Sequence, residues 1–192
     1  SFFWQLFLST YAAFDPDQAD SPQLEIICAL TGTRRNLATY SSVVETIFGT
    51  PGTLVPAGKV MTVDVTGARF VQQADATLSA APSAWQTSHA YAVGDFVTNA
   101  GSIWQCTVAG TSAGGGPGPL GLPPAFASDN TVTWRCIVAN TSYGVAIVAY
   151  KAESSGPVGC AAGALENIAT PVSGWKGGVN PLVASVGKAL ES

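Results

Sequence analysis

The feature that most limits what this chain can fold into is a period of two in its apolar residues. In "KVMTVDV", residues 59–65, Met61, Val63 and Val65 alternate with polar positions. Successive side chains of a strand point to opposite faces of a sheet, so this alternation predicts a half-buried strand. The run "VVETIF" at 43–48 predicts another. The core of the fold is therefore expected to be a β-sheet.

Two further segments extend this sheet. "GVAIVAYKA" at 144–152 is β-branched and apolar on both faces, which predicts a central strand covered on both sides. "LENIATPV" at 165–172 gives a weaker fourth strand. The fold class that follows is mainly β (α+β), with short N-terminal helices and a sheet or sandwich-like core.

Two short helices are predicted before the first strand. Ser21 is a cap residue, Pro22 occupies the first helical position, and Gly32 follows the last apolar residue. The extreme N-terminus lacks the basic region of a secretory signal and fits an amphipathic helix that packs on a partner subunit. Its apolar residues share one face and are Phe3, Trp4, Phe7, Leu8, Tyr11 and Phe14.

The segment 83–141 differs in character from its flanks and reads as an insertion. It holds three of the five Trp residues, the single His and a Gly/Pro tract. "GDFVTN", "SIWQCTV" and "TVTWRCIV" predict a small three-stranded β-module, with Asn99-Ala100-Gly101 as a hairpin turn. We therefore divide the chain into a helical segment 1–40, a discontinuous core 41–82 plus 142–192, and this insertion.

The glycine-rich run "GTPGTLVPAGK" at 49–59 ends in Gly-Lys but does not fit a phosphate-binding loop. The spacing between its glycines is one residue too long, and Val60 stands where Ser or Thr is required. A strand rather than a helix is predicted to follow, so no helix N-terminus faces an anion. We predict a chain reversal at 56–58, with Leu54 and Val55 directed inward.

The composition limits the classes of partner. Charged residues make up 10% of the chain, against about 25% in typical domains, which indicates that much of the surface meets other protein. A solvated β-protein rich in small residues is the alternative. The net charge of -4 and the scattered basic residues do not favour nucleic acid. The sequence contains no run of about 18 apolar residues, so no membrane-spanning helix is predicted.

The residues that carry chemistry are few. Four widely spaced cysteines and one His cannot be arranged as a zinc site, so neither a metal nor a cofactor is expected. His89 is the only base suited to neutral pH, no nucleophile signature accompanies it, and we expect no catalytic residue and no enzyme activity. Cys106 and Cys136 are expected to be neighbours, with free thiols favoured over a disulfide.

Two separated blocks carry a family resemblance. They are "SPQLEIICALTGTRRNLATYSSVVETIFGTPGTLVPAGKVMTVDVTGARF" at 21–70 and "VAIVAYKAESSGPVGCAAGALENIATPVSGWKGGVNPLVASVGKALES" at 145–192. In order and in their Gly and Pro positions they resemble the baseplate J-like proteins of contractile-tailed phages. The family has a further helical segment after Glu191-Ser192, and this chain lacks an initiator Met, so we expect it to be part of a longer protein.

The insertion is similar to the small chitin- and cellulose-binding-like modules of chitinases and phage tail proteins. The shared pattern falls on Trp85, Tyr91, Gly94, Asp95, Val97, Gly101, Trp104 and Trp134. The resemblance implies glycan or protein contact through Trp85, Tyr91, Trp104 and Trp134. A module this small also needs aromatic residues for its core, and use in the core or in protein contact is favoured.

The resemblance implies a structural wedge subunit of a contractile-tail baseplate that acts in assembly and in the triggering of sheath contraction. Its partners would be wedge and hub proteins and copies of itself, in the virion tail after assembly in the host cytoplasm. The predicted subunit contacts are Phe3, Trp4, Phe7, Leu8 and Tyr11. A subunit of a phage-tail-like particle fits equally well. The alternative class is a secreted or surface carbohydrate-binding protein that uses the insertion.

Overall fold

The computed structural model describes residues 2–12, 15, 21–30, 32 and 36–190, without the side chains of 21–24. Phe14 of the predicted helical face lies outside the described residues. The chain is mainly β, which confirms the predicted fold class. The helices are α1 (Phe2–Ala12) and α2 (Ser21–Leu30), and the strands are β1 (Tyr40–Gly49), β2 (Leu54–Val55), β3 (Val60–Val63), β4 (Arg69–Gln72), β5 (Ala76–Thr77), β6 (Ala90–Tyr91), β7 (Phe96–Asn99), β8 (Ser102–Val108), β9 (Gly110–Thr111), β10 (Phe126–Asp129), β11 (Val132–Val138), β12 (Gly144–Ser155), β13 (Leu165–Ile168) and β14 (Trp175–Val179).

Six strands form the main sheet in the order β13-β3-β4-β12-β1-β14, and every neighbouring pair is antiparallel. The edge strands β13 and β14 approach each other, so the sheet curls almost into a closed barrel. Its interior holds one apolar cluster drawn from all six strands. The largest members of that cluster are Ile47, Met61, Phe70, Leu78, Tyr150, Leu165 and Trp175.

The strand β12 lies in the middle of this sheet, as predicted, but it is not covered on both sides. Its side chains alternate, with Val148, Tyr150 and Ala152 buried while Ile147 and Lys151 are exposed. A curled sheet has a single interior face, so only alternate residues of a central strand enter its core. The expectation of two covered faces was wrong over this part of β12.

The strand β3 is shorter than its alternating sequence suggested. Met61 and Val63 are buried, but the strand ends at Val63 and the chain turns, with the Gly67 N–H donating to the Val63 carbonyl at 2.8 Å. Val65 is 90% exposed in that turn, so its predicted place on the buried face was wrong. The local hydrogen bond interrupts the period of two before Val65 is reached.

The predicted reversal at 56–58 is present between β2 and β3. Gly58 has a φ of +80°, and the Ala57 N–H donates to Asp75 Oδ1 at 2.7 Å. Val55 is fully buried, but Leu54 is 53% exposed, which corrects the expectation that both point inward. Adjacent residues of a strand face opposite sides, so only one of the pair enters the core.

Between β5 and β12 the chain forms a second sheet in the order β10-β11-β8-β7. The hairpin turn is confirmed, since Ala100 and Gly101 both have positive φ (47° and 82°), as a two-residue type I′ turn requires. The predicted three-stranded module has a fourth strand, β10, in this second sheet. Its sequence "FASD" has too little apolar periodicity to be detected.

The cysteines of the second sheet are free thiols. Cys106 lies opposite Trp134, and Cys136 lies opposite Trp104, so the two cysteines occupy adjacent strands without facing each other. This offset explains why the favoured alternative of two free thiols holds.

Candidate interaction surfaces

The helix α1 presents its side chains to solvent. It has 11 residues, no charged residue and no buried residue, and Trp4 and Phe7 stack with ring centroids 6.3 Å apart. Phe2 and Leu6 widen the apolar surface beyond the predicted stripe, because they lie on another side of the helix. The exposed large side chains, each between 52% and 86% accessible, are Phe2, Phe3, Trp4, Leu6, Phe7, Leu8 and Tyr11.

The length of α1 also bears on membranes. At about 1.5 Å per residue its 11 residues extend about 16 Å, roughly half the hydrocarbon thickness of a bilayer. Among the described residues, no helix combines the length and the apolar character needed to cross a membrane.

Three of the four aromatic residues predicted to contact glycan or protein lie in the core of the second sheet. Trp104 and Trp134 are completely inaccessible, and Tyr91 is 8% exposed. Tyr91 packs its ring edge-on to Trp134 with the centroids 4.8 Å apart. A ligand would reach Trp104 or Trp134 only if this sheet opened.

Asp129 holds two tryptophans in place. Its Oδ2 accepts from Trp85 Nε1 at 2.7 Å and from Trp134 Nε1 at 3.4 Å, and its Oδ1 accepts from the Ala113 N–H at 3.0 Å. Sequence reasoning missed this residue, because a single Asp at the end of an unrecognised strand carries no motif. The Asp129 carboxylate therefore links β10, an edge strand of the second sheet, to the loop before β10 that contains Ala113.

Trp85 is the one predicted aromatic contact that remains partly exposed. The Gly/Pro tract covers one side of its ring, since a Cβ at Gly118 would lie 2.8 Å from Trp85 Cδ2. Asn99 Nδ2 fixes that tract by donating to the carbonyls of Pro117 (2.7 Å) and Pro119 (2.9 Å). The tract therefore packs on the tryptophan and leaves only part of it open to solvent.

A shallow groove of about 300 Å³ lies on the second sheet next to Tyr91. His89 packs edge-on to Tyr91 with the ring centroids 4.6 Å apart, and the Tyr91 hydroxyl accepts from the Gln86 N–H at 2.9 Å. Burial raises the pKa of the Tyr91 phenol. Ser83, Gln86, His89 and Asp95 are the exposed polar residues that line this groove.

The second sheet packs against the outer face of the barrel through an apolar cluster. Ile103 and Ile137 from the second sheet meet Val145 and Val179 from the barrel, all at 6% exposure or less. Thr46 Oγ1 also donates to Gln105 Oε1 across this junction at 2.7 Å in a buried hydrogen bond. The junction is a packed interior rather than a flexible linkage.

Arg135 extends from β11 to the barrel at the approach of β13 and β14. It is 3% exposed, its Nη1 donates to the Pro181 carbonyl at 3.5 Å, and a Cβ at Gly163 would collide with its guanidinium. Burial lowers the pKa of Arg135, while the charges of Glu166 and Glu45 oppose that shift. The glycine at 163 is therefore needed for this side chain to reach the barrel.

Glu45 is a buried carboxyl inside the barrel. It is fully inaccessible, and neither carboxyl oxygen has a hydrogen-bond partner among the described residues. Burial raises the pKa of Glu45 well above its usual value, the charge of Glu166 adds to the rise, and Arg135 opposes it. Desolvation dominates, so the neutral acid is the form that the fold favours.

Residues 84–118 match the model of carbohydrate-binding module family 5/12. The matched stretch contains Trp85, Tyr91 and Trp104 and ends before β10 and β11, so it covers only part of the second sheet. No curated protein sequence matches the chain.

A chain in the cryo-EM structure of the anti-feeding prophage (AFP) baseplate, 6-fold symmetrised, is similar in fold at 12% sequence identity and a TM-score of 0.47. The alignment covers 91% of this chain and 40% of that chain. This chain therefore spans less than half the length of that baseplate protein.

Proposed function

We propose that this chain is a structural subunit of a contractile-tail baseplate, in a phage or a phage-tail-like particle, that acts through subunit interfaces and catalyses no reaction. The observation that carries the proposal is α1, an uncharged helix whose large apolar side chains all face solvent. The two sequence blocks that resemble baseplate J-like proteins, at 21–70 and 145–192, support the particular kind of assembly.

The physical argument rests on the cost of leaving α1 in water. A helix that is apolar over most of its circumference is normally buried in its working state. Each large apolar side chain that a partner covers contributes about 1.5–3 kcal/mol. Seven such side chains on one short helix are sufficient to anchor a subunit interface.

Within this proposal the partners are wedge and hub proteins and copies of the same chain. Assembly would take place in the host cytoplasm, and the assembled subunit would reside in the tail of the virion. Rearrangement between such subunits would contribute to the triggering of sheath contraction.

The proposal is tested by replacing Phe3 and Phe7 with glutamate and co-expressing the chain with the tail proteins of its particle. Two buried apolar contacts are lost, so recovery in an affinity pull-down is expected to fall about 100-fold. The matched control places glutamate at Gln5 and Ser9, on the more polar side of α1, and is expected to behave as wild type. A wild-type chain that stays monomeric and is never recovered with tail proteins contradicts the proposal.

Carbohydrate binding by the second sheet is a second candidate function, favoured by the family match over residues 84–118. The geometry directs such binding to the groove beside Tyr91 and to the open part of Trp85, because Trp104 and Trp134 are inaccessible.

The full chain is mixed with insoluble chitin or insoluble cellulose, and the amount of protein that remains in solution is measured. His89→Ala is expected to weaken retention about ten-fold by removing a ring from the groove, while the control Ser128→Ala, exposed and outside the groove lining, leaves it unchanged. Absence of depletion for the wild-type chain on both polymers contradicts this second function.

A further inference from the structure

The outward side of β1 is covered at only one end. The outward side chains of β1 are Tyr40, Ser42, Val44, Thr46 and Phe48. The second sheet covers the end that contains Thr46 and Phe48. Thr46 is fully buried, and Phe48 packs at the edge of the junction cluster, which consists of Ile103, Ile137, Val145 and Val179. The other end of β1 stays in solvent, and Val44 is 50% exposed there.

This uncovered area, called the open face, is mainly apolar across three neighbouring segments, and Ser42 and Ser185 are its exposed polar members. Val44 pairs with Ala149 of β12, and Ile147 of the same strand is 46% exposed. On the other side, Ser42 is bridged to Ser185, which places Val183, 68% exposed, on the same side two residues earlier. The apolar members of the open face are Tyr40, Val44, Ile147, Ala149 and Val183.

Apolar outward side chains are unexpected on the solvated face of an antiparallel sheet, where alternate residues are normally polar. The open face also adjoins an interface that already exists, since a Cβ at Gly94, in the turn before β7 of the second sheet, would lie 3.3 Å from Ile147 Cδ1. The junction cluster and the open face therefore form one apolar strip, of which only part is covered within the chain.

Among the described residues, α1 and the open face are both uncovered apolar surfaces, and neither covers the other. The side chains of α1 and of the open face are exposed in the same molecule. Their dimensions agree, because a helix is about 10 Å wide and the outer two of three neighbouring strands lie about 10 Å apart. A helix with the length of α1, about 16 Å, matches about five residues of strand.

Charge favours the same pairing and gives it a direction. No charged residue of α1 would be desolvated on an apolar sheet, although the chain as a whole carries a net charge of -4. One end of the open face carries a net positive charge, because Lys151 Nζ lies 3.9 Å from the Tyr40 ring centroid, the Lys188 backbone is bonded to Thr39, and the nearby acid Glu153 is paired with Arg69. The C-terminal end of a helix is partially negative, and the first charged residue after α1 is Asp15.

We propose that α1 of one copy lies on the open face of a second copy, with its C-terminal end towards Lys151 and Lys188. The inference rests on the proposed function, because it names the partner that α1 contacts. Two different surfaces meet in this contact, so the interface is heterologous, and its repetition produces a ring or an open chain of copies.

The test uses two variants of the full chain that each lose one surface. The first carries Phe3→Glu and Phe7→Glu and keeps the open face, while the second carries Val44→Lys and Ile147→Lys and keeps α1. Wild type is expected to self-associate in analytical ultracentrifugation, and each variant alone is expected to be monomeric, with association weakened about 100-fold. Mixed together, the variants are expected to form a one-to-one pair that grows no further.

The matched control is Val65→Lys, at a 90% exposed position in a turn, and it is expected to associate as wild type does. Near-ultraviolet circular dichroism shows whether each variant keeps its packing. A photo-crosslinker at Leu8 in wild type provides a measurement that needs no disruptive change. Mixed with isotope-labelled copies, it is expected to cross-link to β1 or β12 of the other copy.

Several outcomes overturn the inference. A wild-type chain that stays monomeric while it is recovered with tail proteins contradicts self-pairing and leaves the proposed function standing. Self-association that persists in both variants, a mixture that forms no pair, or cross-links confined to a single copy each contradict the contact between α1 and the open face. A monomer that is also never recovered with tail proteins contradicts the inference and the proposed function together.

Discussion

Replacing Trp134 with alanine is expected to lower the free energy of unfolding by about 3–5 kcal/mol, the usual cost of removing a fully buried large aromatic side chain. Trp134 is completely inaccessible and packs against Tyr91 in the core of the second sheet. Its loss also removes one of the indole N–H groups that Asp129 accepts from. Urea unfolding followed by circular dichroism measures the change.

The matched control for this experiment is Leu120→Ala, because Leu120 is 52% exposed in the same segment and its truncation is expected to cost less than about 0.5 kcal/mol. The second sheet is packed on the barrel through Ile103, Ile137, Val145 and Val179, so the loss is expected in a single transition of the whole chain. A Trp134→Ala protein with wild-type stability would show that Trp134 is not a core residue. The side chain would then be available for contact with a glycan or a partner protein.

Removing the carboxyl group of Glu45 is expected to stabilise the protein. Both oxygens are buried without a hydrogen-bond partner, so Glu45→Met is expected to raise the free energy of unfolding by about 1–3 kcal/mol near neutral pH. The methionine has a similar shape and leaves no unsatisfied oxygen. The control Glu153→Gln affects an exposed ion pair with Arg69 and is expected to change stability by less than about 1 kcal/mol.

The same residue makes stability depend on pH. Because burial raises the pKa of Glu45, the folded state holds its proton to a higher pH than the unfolded state does. As far as Glu45 is concerned, the folded state is most stable below the pKa of the unfolded state, near 4.5, where the carboxyl is protonated in both states. This stability is lost as the pH rises through the pKa of Glu45 in the folded state. The charges that act on it are Glu166, which adds to the rise, and Arg135, which opposes it.

Wild type is therefore expected to lose stability relative to Glu45→Gln between about pH 5 and about pH 8, since the amide does not titrate in this range. Thermal unfolding at both values measures the difference between the two proteins. A wild-type profile parallel to that of Glu45→Gln would show that Glu45 is not desolvated in the folded state.

The features that sequence reasoning predicted well are local. The type I′ turn at Ala100-Gly101 and the reversal at 56–58 each require a residue with positive φ. In both cases the sequence shows a glycine at that position. The helix α1 and the strands β1, β3 and β12 follow from periodicity. The strand β10 was missed because "FASD" has neither alternation nor β-branched residues, and its place depends on pairing with β11.

The features that were mispredicted concern which side of an element is covered. Val65, Leu54 and the outward side of β12 were assigned to the interior from alternation and apolar character, yet Val65, Leu54 and the outward Ile147 are exposed. The curvature of the barrel and the short length of β2 and β3 set the number of inward positions. Neither property can be read from a single segment.

The sequence by itself determined the fold class, the two turns, the low charge of the chain and the uncharged, apolar composition of α1. These features depend on residues that are neighbours in the chain. Only the tertiary structure decided that Trp104 and Trp134 are core residues, that Asp129 binds two indoles, and that Glu45 and Arg135 are buried near each other. These outcomes depend on contacts between strands far apart in sequence. Burial, and with it the cost of charge and the access of ligands, is a property of the packed chain.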